Sequence, residues 1–274
     1  MVKEYGDYHG EHSAKIGDKD TFTDWHLVPT GGYLFFTPPA VSLSILDNPG
    51  ADGIIDFTES LTGKPKLGAR EGQWEFAVLN GYLKWSDTYS MIMNYLHGRK
   101  FQVILADDPD YYYTARFTVD EWQSEEARST ITLKYVADPY KLDIATSVDN
   151  SKWKWDPFNF ETGVILSSKC NAIGVNPDLG ILPTINLTGR DVGRKPIVPQ
   201  IKYVAAPGET RALTLKFSNT ELGISNVTKT IQANGTLEDL DIIMSGYSPT
   251  NHNKIVVTAG GLGTLSIIFR RGSL

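Results

Sequence analysis

Residues 107–122 read DDPDYYYTARFTVDEW, with three carboxylates around Pro109 and three tyrosines directly after it. Such a cluster suits a metal site, a sugar-binding platform or a turn that leads into a strand. A calcium loop needs oxygen ligands at regular spacing around a glycine, and none is present here. Asp108, Pro109 and Asp110 suit a type I turn, because proline presets φ and Asp stabilises the first position. In the strand that follows, Tyr111, Tyr113, Ala115, Phe117 and Val119 share one face and Tyr112 faces the other way. Asp108, Pro109 and Asp110 are therefore expected as turn formers and Tyr111 and Tyr113 as packing residues, with no bound metal.

Other catalytic groupings are thin. His9, His12, His26, His97 and His252 show no metal-binding spacing. Cys170, in SSKCNAIG, has no nearby histidine and reads as a small packing residue. No nucleophile elbow, phosphate loop or dinucleotide fingerprint occurs, and AGGLGTL (259–265) lacks the strand–helix context. Glu59, Glu71 and Glu75 offer carboxylates, but nothing in the sequence sets two of them at a glycosidase separation. The expectation is a protein without catalytic residues or cofactor.

The chain has 274 residues, 41% hydrophobic and 21% charged, which is enough apolar material for one large or two medium cores. A single cysteine excludes an intrachain disulfide and fits a reducing compartment. The first fifteen residues are polar and lack a signal-peptide apolar region. No apolar run approaches the roughly 18 residues of a membrane span. Residues 1–150 hold 13 Lys/Arg and 23 Asp/Glu, a net of −10; residues 151–274 hold 13 and 9, a net of +4. The split predicts two units with different surroundings, and the acidic first half repels nucleic acid.

Short alternating runs between Gly, Pro, Asn and Asp clusters predict a mainly β chain. Strands are expected over 23–28, 41–46, 53–58, 73–79, 101–106, 111–119 and 130–136. The second half adds 163–166, 183–187, 200–204, 212–217, 228–232, 239–243, 254–258 and 264–269, a pattern that suggests a jelly-roll-like sandwich. One helix is predicted in WSDTYSMIMNYLHGRK (85–100). Ser86 is its expected N-cap, Tyr89, Ile92, Met93 and Leu96 make its apolar stripe, and Gly98 ends it.

Six separated blocks carry a resemblance to the distal tail proteins of siphophages. They are HSAKIGDKDTFTDWHLVPT (12–30), GADGIIDFTESLTGKP (50–65), WEFAVLNG (74–81), YSMIMNYLHGRKFQVILADDPDYYYTARFTV (89–119), YVADPYK (135–141) and WKWDPFNFETGVI (153–165). They occur in the order that the family shows and span about the first 165 residues. The resemblance implies an N-terminal β-sandwich-like ring domain with one helix and a hairpin, over 1–150. It implies a C-terminal galectin-like or jelly-roll sandwich over 151–274, with the boundary at about 145–165. It further implies a homo-hexameric hub at the virion tail tip, made in the bacterial host cytoplasm. Its partners would be the tail tube protein, a tail-associated fibre/lysin or tape-measure protein and receptor-binding proteins, and DNA would pass through. The net charge of −10 over residues 1–150 adds the expectation that some of its excess Asp and Glu face that opening.

A closed ring needs two different complementary patches on each subunit. PTGGYLFFTPPAV (29–41) offers one, and Tyr33, Phe35 and Phe36 are its candidate subunit contacts; an internal core strand is the competing reading. SVDNSKWKWDPFN (147–159) reads as the passage between domains. The alternative function, a carbohydrate-binding module for host attachment, would use exposed aromatics. The second half has few: Trp153, Trp155, Phe158, Phe160, Tyr203, Phe217, Tyr247 and Phe269.

Overall fold

The computed structural model describes residues 10–47, 50, 52–60, 63–79, 85–124, 129–149, 158–159, 164–248 and 252–274. The chain divides into two units, Met1–Lys141 with Leu274, and Leu142–Ser273. The division falls ahead of the expected 145–165 window. The reason is local: Ser147 N donates to Phe269 O at 2.8 Å and Ser147 Oγ to Ile267 O at 2.7 Å, so this polar stretch is bound into the second unit. Residues 150–157 of the expected linker lie outside the described residues.

The first unit holds β1 (Ala14–Ile16), β2 (Lys19–Asp20), β3 (Leu27–Pro29), β4 (Val41–Ser42), β5 (Ile45–Asp47), β6 (Ile54–Asp56), β7 (Lys66–Leu67) and β8 (Arg70–Val78). Helix α1 (Trp85–Leu96) follows, then β9 (Lys100–Leu105), β10 (Asp108–Ser124) and β11 (Ser129–Ala137). Its main sheet runs β2-β1-β9-β10-β11-β8-β3, antiparallel throughout. Alternation fixes its buried face. Tyr113, Ala115, Phe117 and Val119 of β10 meet Ile131, Leu133, Tyr135 and Ala137 of β11 and Trp74 and Phe76 of β8 in one core.

Helix α1 closes that core with Ile92 and Leu96, both buried, and with Tyr89 and Met93 packed at its margin. Ser86 lies inside the first turn, not before it, because the helix already begins at Trp85. Gly98 adopts φ +73°, and its N–H donates to Phe117 O at 2.8 Å, so the helix end is bonded to the strand it covers. The strand expected over 23–28 starts only at Leu27. Asp20 Oδ1 accepts the N–H groups of Phe22 and Thr23, which winds that stretch into a turn.

In the second unit, after β12 (Lys141–Asp143), which spans the division, come β13 (Phe158–Asn159), β14 (Val164–Ile165) and α2 (Leu166–Cys170). Eight strands then build a sandwich: β15 (Ile173–Val175), β16 (Thr184–Thr188), β17 (Gln200–Ala205), β18 (Leu213–Asn219), β19 (Ile224–Ile231), β20 (Thr236–Leu237), β21 (His252–Ala259) and β22 (Gly263–Ile268). One sheet is ordered β15-β22-β17-β20 and the other β16-β21-β18-β19. This is the strand order of a jelly roll, two interlocked Greek keys. Ile201, Tyr203, Leu265 and Ile267 of one sheet pack with Leu187, Leu215, Phe217, Ile255 and Val257 of the other in a single core.

Two buried asparagines would be costly inside that core without partners. Asn219 Nδ2 donates to Asn253 Oδ1 at 2.8 Å, and Asn253 Nδ2 donates to Ser245 O at 2.9 Å. The strand expected over 239–243 is a turn: Asp239 Oδ1 accepts Asp241 N–H, and both carboxylates bind Lys229 at 2.6 Å. Cys170 is a free, buried thiol.

Candidate functional site

The acidic–tyrosine cluster is placed differently from the sequence expectation. The hairpin turn falls on Ala106 and Asp107, because Asp108 already pairs with Leu105. Asp108, Pro109 and Asp110 open β10 instead. The pairing next resumes at Tyr113 opposite Val103, so residues 109–112 bulge against Ile104 alone. Proline lacks the N–H that a regular ladder requires, and a bulge at the strand start tolerates it. Asp108 receives Lys141 Nζ at 2.6 Å, and that ammonium lies 4.0 Å from the Tyr111 ring centroid. Burial alone lowers the Lys141 pKa, but the bond to Asp108 and the neighbouring Tyr113 outweigh it and the net shift is upward. Tyr113 is buried, which raises its pKa, and Tyr111 is half-buried. Among the described residues no group of three His, Cys, Asp or Glu is placed to hold a metal ion.

The loop 33–37 splits the aromatic trio. Phe36 is 6% exposed and its ring lies 4.3 Å from Tyr113, 4.7 Å from Tyr135 and 4.9 Å from Trp74. It is a core residue of its own chain, so the expected subunit contact at Phe36 is corrected. Tyr33 and Phe35 point outward, 66% and 64% exposed. The loop is pinned from inside: Trp74 Nε1 donates to Phe35 O at 2.9 Å, and Thr37 N donates to Tyr135 Oη at 3.0 Å. Arg70 adds a bond from Nη1 to Thr37 O at 2.9 Å. Outward aromatics on so tethered a loop lose little freedom on contact, which favours binding.

Directly after this loop the chain forms an arm. Pairs β4–β7 and β5–β6 make it, with Val41 opposite Leu67 and Leu46 opposite Ile55. Leu43, Ile45, Leu46, Ile54, Ile55 and Phe57 are all exposed. A hairpin that serves as half of a packed sheet hides one face, but both faces of this one carry aliphatic side chains in water. Together they form an exposed apolar patch. Sequence reading placed strands here and the resemblance implied a hairpin in this domain, but neither located the hairpin or its two apolar faces. The signal was the adjacency of Ile45 with Leu46 and Ile54 with Ile55, which breaks the apolar–polar alternation of a half-buried strand.

An antiparallel sheet with one covering helix and an exposed hairpin, followed in the same chain by a jelly roll, defines a mainly β, β-sandwich-type architecture. The chain is similar in overall fold to the crystal structure of the SPP1 Dit protein (gp 19.1), described as a paradigm of hub adsorption apparatus in Gram-positive infecting phages. The two align with a TM-score of 0.53 at 13% identity, over 96% of this chain and 99% of that chain. At that identity the shared property is the fold. No protein-family model matches the sequence, and no curated protein matches it. Among the described residues no helix is long and apolar enough to cross a membrane.

Proposed function

We propose that this protein is a distal tail protein, a structural hub of a phage tail tip that acts by contact and not by catalysis. The observation that carries the reading is the alignment with SPP1 Dit over nearly the whole of both chains. The six sequence blocks in family order support it independently of the coordinates. In this reading six copies close into a ring that joins the tail tube to a tail-associated fibre, lysin or tape-measure protein. The ring sits at the virion tail tip after synthesis in the host cytoplasm and lets DNA pass.

The arm supplies the contact that a ring needs. A heterologous interface requires an apolar patch on one subunit and a different patch on the next. The aliphatic residues of β5 and β6, with Tyr33 and Phe35, form the first. Some of the excess Asp and Glu of residues 1–150 face the opening, where they keep DNA from adhering; lysines there would bind phosphates and hold it. A ring structure with a lumen lined mainly by Lys and Arg would overturn that part.

The test is the mass of the particle in solution. The expected wild-type species is six times the 30.3 kDa chain. Ile45→Asp with Ile54→Asp is expected to leave a folded monomer, because both side chains are exposed in the single chain and their loss costs the fold little. A wild-type protein that stays monomeric at high concentration, or a double variant that still forms the ring, would overturn the proposal.

A further inference from the structure

On the outer face of the jelly-roll sheet β16-β21-β18-β19, Thr184, Asn186, Lys216, Thr228 and Lys254 are exposed, and the four strands contain no Asp or Glu. Register places its outward residues in rows. Thr184, Val256, Lys216 and Thr228 stand side by side; Asn186, Lys254 and Ser218 form the next row. The intervening residues, among them Ile185, Leu187, Leu215, Phe217, Ile255 and Val257, point into the core. The face is therefore mainly a field of hydroxyl and amide groups, with the half-buried Val256 among them, the His252 imidazole at one end and two ammonium groups standing out of it.

The two lysines are diagonal neighbours on adjacent strands, roughly 7 Å apart at their bases. Both are exposed, and among the described residues neither has a carboxylate partner. Six other lysines, Lys19, Lys100, Lys134, Lys141, Lys169 and Lys229, are each matched by an aspartate, while Lys15 and Lys202 are unmatched among the described residues but stand apart from one another; what distinguishes Lys216 and Lys254 is that they are unmatched and adjacent. Two like charges left adjacent and unmatched favour an anionic occupant.

The rest of the face decides which kind. Its one aromatic side chain among the described residues is the His252 imidazole at the end of β21, opposite Thr188; no Phe, Tyr or Trp stands on the face to make a run of stacking platforms for nucleic-acid bases. It has no exposed large apolar residue to make the dry centre of a protein interface. Rows of Thr, Ser and Asn instead match a ligand rich in hydroxyl groups. We propose that this face binds an anionic polysaccharide, with Lys216 and Lys254 pairing its phosphate or carboxylate groups and the hydroxyl and amide rows bonding its sugar hydroxyls. The inference rests on the sheet alone and is independent of ring closure.

The test uses the full chain and affinity electrophoresis through gels holding polygalacturonate, a phosphomannan, neutral dextran or duplex DNA. The protein is expected to be retarded by at least one acidic polysaccharide and not by dextran. Lys216→Gln with Lys254→Gln is expected to weaken that binding by roughly tenfold or more. Asn186→Asp, which adds a carboxylate to the middle of the face, is expected to weaken it as well. The charge-matched pair Lys15→Gln with Lys202→Gln lies on other strands and is expected to bind as wild type. Unchanged melting of each variant excludes a folding defect. No retardation by either acidic polymer would overturn the proposal, as would stronger binding to DNA or equal loss in both lysine pairs.

Discussion

Phe35 and Phe36 are neighbours in sequence with opposite environments, and their alanine variants are expected to fail in opposite ways. Phe36 is buried against Trp74, Tyr113 and Tyr135. Truncating such a ring costs roughly 3–5 kcal/mol. In a unit of this size that lowers the melting temperature by roughly 10–15 °C. Phe35 is 64% exposed, so only about a third of the roughly 2–3 kcal/mol from full burial is at stake in folding. Its carbonyl, which accepts the Trp74 indole N–H and the Tyr135 hydroxyl, survives the substitution. Phe35→Ala is therefore expected to melt within about 2–3 °C of wild type. Its loss appears in assembly: the exposed two-thirds of the ring is worth roughly 1.5–2 kcal/mol at each contact, a factor of about 10–30 in each association step. Near-UV circular dichroism follows the melting of the aromatic core, and light scattering over a dilution series follows the ring. Two variants that melt alike, or a Phe35→Ala ring as resistant to dilution as wild type, would refute the reasoning.

Two further outcomes concern the second unit. Glu209 accepts hydrogen bonds from the Arg211 side chain and from the N–H groups of Arg211 and Leu262, and these hold its carboxyl well below the usual glutamate range; the Thr210 N–H also donates to it. A depressed carboxylate stabilises the fold above its unfolded pKa and loses that contribution as pH falls toward the folded value. Glu209→Gln is expected to lower the melting temperature at neutral pH, with a gap to wild type that closes as the pH drops below about 4.5; a gap independent of pH would refute the linkage. Burial pushes the Cys170 thiol up to about 12, so a disulfide reagent at pH 8 is expected to modify it only after denaturation, and rapid reaction in the native state would contradict that.

The parts of the fold that the sequence made legible are those governed by local periodicity. The Ile92–Leu96 stripe of α1 and the alternation of Tyr113, Ala115, Phe117 and Val119 follow from spacing alone. Chain punctuation misled where side chains compete with the backbone. The Asp20 and Asp239 carboxylates turn stretches that apolar content had marked as strands. The Asp-Pro-Asp triplet resembles a turn but follows one, because the hairpin closes at Ala106–Asp107 and the proline is taken up in a bulge. Adjacent rings at Phe35 and Phe36 could be separated only by knowing which way the loop is pinned. The lysine face was not legible at all, since Lys216 and Lys254 become neighbours only through the pairing of β18 with β21.

The strand order of the jelly roll also governs when this half of the protein becomes a protein. β22 is the last of its eight strands to be synthesised, yet it lies between β15 and β17, inside its sheet. Until residues 263–268 exist, β15 has no neighbour in that sheet and the Leu265 and Ile267 side chains are missing from the core. The partner sheet waits in the same way, because β21 separates β16 from β18. Closure therefore depends on contacts between distant parts of the chain, which makes folding slow and leaves strand edges exposed while it proceeds. A chain interrupted shortly before Gly263 retains most of the unit's residues but cannot complete either its fold or any surface that depends on it.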